Sequence, residues 1–381
     1  MKKQSSLFKG TIDDVFWCTS CLNMSTRPRI SFNEKGECNA CQWNEEKKTF
    51  DWKTQEEKLK GIIDKYSSIN SVFDCIVPVS GGKDGSYIAH TLRSKYNLNP
   101  LTITVRPATE TDIGVRNVLN FIDSGFNHIH ISPDKEAMRA INKSGFVNEG
   151  QPYYGWLVAI HTAVIRLALS LNITLIFYAE DGEVEYGGSI QNKGGVVFGL
   201  DFFNDIYFEG IHDSVIKDAS ISEKEKFFFT LPSQDEIKGR DIHLTHWSYF
   251  EPWDPYRNYL VAKEHCGLEE IDDSNTGTFT NFAQNDQYLY DLHCYLMYLK
   301  FGFGRALQDA GIEIRRGSMT REQGVNLVNI YDGHYPESNL ETYLDYYQMT
   351  KEEFDNVLDT HVNKALFEKV EGIWKPKFEL K

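Results

Sequence analysis

Long uncharged apolar runs, abundant cysteine and an excess of positive charge are all missing from this sequence, and each absence excludes a class. The most apolar stretch, Leu157 to Ala179, is interrupted by His161, Arg166 and Asn172, so it reads as a buried helix followed by a strand rather than as a membrane span. Seven cysteines in 381 residues are too few for a disulfide scaffold. The basic start, MKKQSSLFKG, runs into no apolar stretch of the kind a signal peptide carries. Lys and Arg total 40 against 55 Asp and Glu, a formal net charge of −15. A general nucleic-acid binder needs cations to neutralise many phosphates, so this balance argues against one while leaving room for a local basic pocket. No low-complexity tract stands out. The expectation is a cytoplasmic protein with no nucleic-acid partner and no membrane insertion.

What is present is a chain that is 41% hydrophobic and 13% aromatic, able to bury a core and long enough for two or three units of roughly 150 residues each. Residues 1–50 lack helical periodicity and carry two CxxC pairs. A charged helix is expected over Trp52 to Tyr66, with Leu59, Ile62 and Ile63 on one stripe. Strands are then expected over Phe73–Val79, Leu101–Val105, His128–Ile131 and Ile173–Tyr178. They alternate with helices over Tyr87–Tyr96, Ile113–Ile122, Lys135–Asn142 and Tyr154–Leu171. Such alternation implies βαβ units and a parallel sheet covered on both faces, although Pro78 would remove one ladder donor from the first strand. From about Thr278 the periodicity turns helical. Capping boxes at Thr320-Arg-Glu-Gln323 and Thr350-Lys-Glu-Glu353 open two of the helices. The expected organisation is a metal module over 1–50, an α/β nucleotide domain over 51–255 and a helical region over 256–381.

Cys18-Thr-Ser-Cys21 and Cys38-Asn-Ala-Cys41 are separated by 16 residues. Each knuckle lets two thiolates converge on one ion, and the loop between them is long enough to bring the knuckles together. Four soft thiolates in tetrahedral array suit a structural Zn²⁺, with an iron–sulfur cluster or a redox pair as alternatives. Cys75, Cys266 and Cys294 stand alone and read as core residues.

Ser80-Gly-Gly-Lys-Asp-Gly-Ser86 follows the first strand and precedes a helix. Adjacent glycines let the backbone approach a ligand closely, successive N–H groups form an anion nest, and the helix N-terminus adds its dipole. Ser80 and Ser86 add hydroxyls and Lys83 adds charge, whereas Asp84 beside phosphate makes sense if it holds Mg²⁺ or a backbone N–H. The motif is neither GxxxxGK(S/T) nor GxGxxG. An ordinary glycine-rich turn is the bland alternative, and its place after the first strand of an alternating domain favours the nucleotide reading.

The loop is similar to the SGGxDS loop of the PP-loop ATP pyrophosphatases, with Gly85 standing before Ser86. With Cys18–Cys21 running on to Thr26-Arg-Pro28, Cys38–Cys41, Tyr178-Ala-Glu-Asp-Gly-Glu-Val-Glu-Tyr-Gly-Gly188, Leu231–Lys238, Tyr249–Asp254, Lys300–Arg305 and Thr320–Gly324, the chain resembles the N-acetyl sugar amidotransferases of bacterial surface-polysaccharide and nonulosonic-acid biosynthesis. That resemblance covers nearly the whole chain. It implies an α/β fold: a PP-loop (adenine nucleotide alpha hydrolase-like) parallel sheet with helices on both faces, a small four-cysteine zinc-ribbon-like module before it and a helical region after it. It also implies an ATP-dependent ligase that adenylylates the acetamido carbonyl of a nucleotide-activated N-acetyl sugar and replaces its oxygen with ammonia, releasing AMP and pyrophosphate. Ser80, Gly81, Gly82, Lys83, Asp84, Gly85 and Ser86 would hold ATP and its Mg²⁺, and by fold analogy Thr104, Val105 and Arg106 would contact adenine. Glu180 and Glu185 become candidates for orienting Mg²⁺ or ammonia. The chain reads Tyr178-Ala-Glu-Asp181 where the family pattern is closer to YGEN. Ammonia would come from a separate subunit similar to the glutaminase of imidazole glycerol phosphate synthase, with or without its cyclase-like companion.

Lys300, Arg305, Arg315, Arg316 and Arg321 face only Asp309 and Glu313 within the same stretch, which marks a candidate pocket for the substrate's diphosphate or for pyrophosphate; a solvated helix face is the alternative. Two rival functions remain. A tRNA-thiolating PP-loop enzyme would want a basic face and a further cysteine pair, and after Cys41 there is no CxxC. A zinc-ribbon interaction protein would leave the strand–SGGKDGS–helix arrangement without a purpose.

Overall fold

The computed structural model describes residues 8–67, 72–191, 193–200, 202–240 and 242–380. Residues 8–38 hold one short 3-10 turn (Ile12–Asp14) and no longer helix before α1 (Asn39–Lys47), and α2 (Trp52–Tyr66) leads into the sheet. The α/β part runs β1 (Cys75–Pro78), α3 (Lys83–Tyr96), β2 (Pro100–Val105), α4 (Asp112–Asp123), β3 (His128–Ile131), α5 (Lys135–Glu149), α6 (Tyr154–Leu171) and β4 (Leu175–Tyr178). It continues through α7 (Gly182–Tyr186), α8 (His212–Asp218), α9 (Gln234–Ile237), β5 (His243–His246) and α10 (Pro255–Cys266). Then come α11 (Leu289–Phe301), α12 (Arg305–Arg316), α13 (Arg321–Tyr331), α14 (Leu340–Tyr347), α15 (Lys351–His361) and an antiparallel hairpin of β6 (Phe367–Val370) and β7 (Ile373–Pro376).

The five strands β3-β2-β1-β4-β5 form one sheet in that order, every pair parallel. Strands buried on both faces are rich in apolar residues, as β1, β2 and β4 are, and in β2 the buried Thr102 and Thr104 hydroxyls donate to the Asn127 and Val79 carbonyls. One face is covered by α5, α6 and the Phe198–Phe229 segment, the other by α2, α3, α4 and α10 around Trp247 and Phe250. α6 is apolar enough by length and composition to cross a bilayer, yet Val158, Ala159, Ala163, Ile165 and Ala168 are buried in the sheet's core. Pro78 is tolerated because the Val79 N–H goes to the Ile103 carbonyl. Pro78 therefore faces β4, whose pairing with β1 is registered at Ile76 alone.

The chain winds outward from β1 to β2 and β3, then crosses through α5 and α6 to β4 on the other side of β1. The loops after β1 and β4 therefore leave in opposite directions, which opens a crevice at the carboxyl edge of the sheet. The helical C-terminal part packs on this unit through Phe146, which joins Leu292, Tyr347 and Phe354 in one core. Both expected capping boxes are formed, Thr320 with Gln323 and Thr350 with Glu353.

Four expectations need correction. Helix α3 starts at Lys83 rather than Tyr87, because Gly82 serves as its N-cap. Helix α5 runs on past Asn142 to Glu149 and ends on Gly150, whose φ is +62°. No strand is expected at 243–246, yet β5 forms there; His-Leu-Thr-His lacks the polar–apolar alternation that marks the equally short His-Ile-His-Ile of β3. The C-terminal part is not purely helical, since it includes the β6–β7 hairpin, held near its turn by Lys369 and Trp374 bonding to Asp359.

Candidate active site

The Ser80–Ser86 loop sits at the mouth of the crevice. Gly81 has φ +72°, and a Cβ there would lie 2.5 Å from the backbone of Asn117 and Val118, so only glycine lets the loop pass α4. At Gly85 a Cβ would lie 2.7 Å from the Pro78 carbonyl oxygen. This close approach of helix to strand accounts for the glycine that separates Asp84 from Ser86. The first-turn N–H groups of a 14-residue helix have no partner within it, and here they open beside Ser80.

Two cavities meet at this loop. One, of about 470 Å³, is lined mainly by apolar side chains of β2, α4 and α6, including Ile103, Val118 and Ile160, together with Thr104, Val105 and Arg106. The other, of about 240 Å³, is polar and holds Lys83, Asp84, Glu180, Tyr186, Asp286 and Arg305. Ser80, Trp156 and Asp286 line both. Trp156 is fixed by donating Nε1 to the Val105 carbonyl at 3.0 Å. The roof of the polar cavity comes from the C-terminal region: Phe282, Gln284, Asp286, Gln287, Tyr290 and Arg305. Its entry segment is tied down where Thr111 N–H meets the Asp286 carbonyl at 3.2 Å and Tyr288 N–H the Thr109 carbonyl at 2.9 Å.

The acids of the polar cavity are not equivalent. Asp84 is held by Lys83 at 2.5 Å, by Asn258 Nδ2 at 2.8 Å and by Trp253 Nε1 at 3.4 Å. Glu180 is pushed up to about 7 by burial and by the charge of Asp84, against the pull of Lys83. Burial lifts Asp286 to about 6. Arg305 pairs with Asp309 at 2.7 Å, bonds the Tyr290 hydroxyl at 3.2 Å and lies over the Tyr186 ring. A general base near neutrality, crowded carboxylates able to share a divalent cation and a buried guanidinium are thus gathered beside an anion nest.

Of the residues singled out from sequence, Ser80, Gly82, Lys83, Asp84, Gly85, Glu180 and Arg305 line the polar cavity, and Thr104, Val105 and Arg106 line the apolar one. Ser86 is fully buried and lines neither. Glu185 is turned away: it accepts Trp43 Nε1 at 3.0 Å and pairs with Lys47 at 2.7 Å. Asp181 is also structural, capping α7 through the N–H groups of Glu183 and Val184 and accepting the Tyr249 hydroxyl at 2.7 Å. The basic stretch does not form one pocket. Arg315 bonds the Glu185 carbonyl, Arg321 the Cys21 carbonyl, and Arg316 pairs with Asp254 and Glu313. Lys300 lines a different cavity. Sequence reasoning missed Trp156, Tyr186, Asp286 and Tyr290. Only Tyr186 carried a signal, as part of the Glu-Tyr-Gly-Gly run.

Cys18, Cys21, Cys38 and Cys41 are buried with their sulfurs all within 4.8 Å of one another. The pairs Cys18–Cys41 and Cys21–Cys38 lie at 3.8 and 3.7 Å. A single ion about 2.3 Å from each thiolate holds tetrahedral sulfurs about 3.8 Å apart, so the residues fit one ion. A cubane, which gives each thiolate its own iron, would spread them further. The Cys38 and Asn23 N–H groups and Asn23 Nδ2 point at these sulfurs. The module is clamped to the segment after β4: Asn23 Nδ2 donates to the Tyr186 carbonyl at 3.0 Å, Asn39 Nδ2 to the Gly188 carbonyl at 2.7 Å, and Arg29 forks onto Glu183. Gly187, at φ +92°, leaves the space for Asn23 and Asn39.

Residues 276–380 match the family model for the C-terminal domain of WbpG-like LPS biosynthesis proteins. No curated protein matches the chain. Among solved structures, the U34-tRNA thiolase NcsA from Methanococcus maripaludis with its 4Fe–4S cluster is 13% identical, at a TM-score of 0.30, over 79% of this chain and 86% of that one. A likeness at that level carries no argument about this chain.

Proposed function

From a chain whose residues 276–380 match the family model for the WbpG-like C-terminal domains of LPS biosynthesis, we propose an ATP-using surface-sugar enzyme, namely an amidotransferase that converts the acetamido group of a nucleotide-activated sugar to an acetamidino group. One observation carries the ATP reading. The glycine loop lies between an apolar cavity of about 470 Å³, sized for a nucleoside, and a polar cavity that holds Glu180, with Ser80, Trp156 and Asp286 shared by both. The family of the C-terminal region, which roofs that polar cavity, supports a surface sugar as the acceptor.

In this reading adenosine lies against Ile103, Val118 and Thr104, and the leaving pyrophosphate rests on the amides of Gly81–Asp84 with Lys83 and Arg305 beside it. The acetamido oxygen attacks the α-phosphorus, and the bond from that phosphorus to the bridging oxygen breaks. Ammonia then attacks the activated carbon, the carbon–oxygen bond breaks, and AMP leaves with the former carbonyl oxygen. Glu180, poised near neutrality, takes the proton that the attacking nitrogen loses. The rest is positioning and charge stabilisation. Asp84 would hold Mg²⁺, which neutralises charge on the phosphates; the four cysteines would hold a structural zinc. A separate glutaminase supplies the ammonia.

An AMP and pyrophosphate assay with ATP, Mg²⁺ and ammonium, screening UDP-diacetamido sugars, CMP-nonulosonic acids and bulk tRNA, tests the reading. Sugar-dependent AMP release, with NH found in place of O on the sugar by mass spectrometry, is expected. Release driven by tRNA alone would overturn it in favour of a thiolase.

A further inference from the structure

A further cavity, of about 230 Å³, lies where the cysteine module meets α11, and neither the loop nor the reaction derived above uses it. Its cations come from two distant parts of the chain, Arg27 and Arg29 from the module and Lys300 from the end of α11. It packs against the polar cavity but shares no lining residue with it. Tyr186 and Tyr153 line the polar cavity. On the far side, the Arg27 guanidinium lies 5.9 Å from the centre of the Tyr186 ring, and the His293 ring lies 4.8 Å from that of Tyr153. The Arg27 and Arg305 guanidiniums lie 5.9 and 5.8 Å from the centre of the Tyr186 ring, Arg27 lining this cavity and Arg305 the polar one.

The hydrogen-bond donors here are incompletely matched. Arg29 is committed to Glu183 through a two-pronged ion pair at 2.9 and 2.7 Å. Lys300 donates to the Glu149 carbonyl at 2.9 Å, which leaves donors of its ammonium for another partner. Arg27 Nη1 is buried with no hydrogen-bond partner. The acids that act on these two cations are Glu209 and Glu149 at Lys300 and Glu183 at Arg27. A buried guanidinium nitrogen with nothing to donate to is costly, and an oxyanion is the partner that a guanidinium fork and an ammonium together recognise. At about 230 Å³ the space is below the roughly 300–1,000 Å³ of a site that encloses a whole ligand, so it suits one end of a larger molecule.

We propose that this cavity is an anion subsite in which Arg27 and Lys300 hold a phosphate or carboxylate group of the acceptor. The assignment of the anion to the acceptor rests on the amidotransferase reading; the anion site itself does not. The phosphates of ATP have their own donors at the glycine loop. The arrangement also gives Thr26-Arg-Pro28 a purpose, because it brings the metal module into substrate recognition.

Calorimetric titration of the metal-loaded full chain, saturated with a non-hydrolysable ATP analogue, tests this with two probes, UDP-N-acetylglucosamine and inorganic phosphate. Binding of the nucleotide sugar is expected to weaken about tenfold or more in both Arg27→Gln and Lys300→Met, with affinity for the ATP analogue unchanged within about twofold. If Lys300→Met does not fold, Arg27→Gln carries the test, since its Nη1 makes no hydrogen bond to lose. Phosphate binding that disappears in the variants, with no binding of the nucleotide sugar, would keep the anion site and overturn its assignment to that acceptor. Equal binding by wild type and Arg27→Gln, or no binding of either probe by the wild type, would overturn the proposal.

Discussion

The surroundings that make Glu180 useful also destabilise the fold. Burial and the nearby Asp84 charge raise its carboxyl to about 7 from the ordinary value of 4.5, so the folded state prefers it protonated. The stability this brings is complete below the unfolded carboxyl's pKa and is lost as pH rises through about 7. Glu180→Gln removes that loss. At pH 8 the variant should be more stable than the wild type by something on the order of 1–3 kcal/mol, with the gap closing towards pH 5. It should also lose most AMP formation and the rising limb of the pH profile near neutrality. Denaturant titration at the two pH values alongside the rate profile checks both halves; a variant that keeps the limb would remove Glu180 from the proton transfer. At this scale the sequence was only partly legible. Glu180 and Glu185 look alike as loop carboxylates, and only the turn of α7 decides that one enters the cavity while the other pairs with Lys47. Asp286 and Trp156 carry no local motif, and they reach the site because long-range packing brings them there.

Among elements, the Glu183–Gly188 segment is a hinge of information between the metal module and the site. Its outward groups are gripped by Arg29, Asn23, Asn39, Trp43 and Lys47, while Tyr186 faces the polar cavity. Loss of the metal should therefore be felt in catalysis although no cysteine lines that cavity. The purified chain should contain one zinc per molecule and no visible absorbance from iron. Chelation should reduce AMP formation about tenfold or more while changing the near-ultraviolet signal of the buried Trp43. Full activity in metal-free protein would break the link between module and site. The four cysteines and the glycine loop were legible because their chemistry demands fixed residue types at fixed spacing. The short β5 and the β6–β7 hairpin were not: β5, His-Leu-Thr-His, lacks the alternation of the equally short β3, and the hairpin strands are mostly exposed, so no buried face repeats along them.

For the whole molecule, the site is composite: the loop comes from the first strand, Glu180 from the fourth, and the roof from the C-terminal region. The basic residues between Lys300 and Arg321 look like one pocket in sequence, yet a helix points successive residues about 100° apart. They disperse to the polar cavity, the anion cavity, Asp254 and the cysteine module. A composite cavity closed on several sides bears on where the nitrogen comes from. Ammonia in neutral water is almost entirely ammonium, which has no lone pair for attack, and a carboxylate near 7 is too weak a base to generate much free ammonia from it. Glu180 can instead take the proton that appears as neutral ammonia bonds to carbon. With ammonium salts as the only nitrogen source, the KM should therefore stay constant across pH 7–9 when expressed as NH₃ and should shift when expressed as NH₄⁺. Glutamine added to this chain alone should give no amidine, and a separate glutaminase should restore the reaction at low ammonium with a flatter pH dependence. A KM constant in NH₄⁺ would mean that the cavity binds and deprotonates the ion itself, and full activity with glutamine alone would place a glutaminase within this chain.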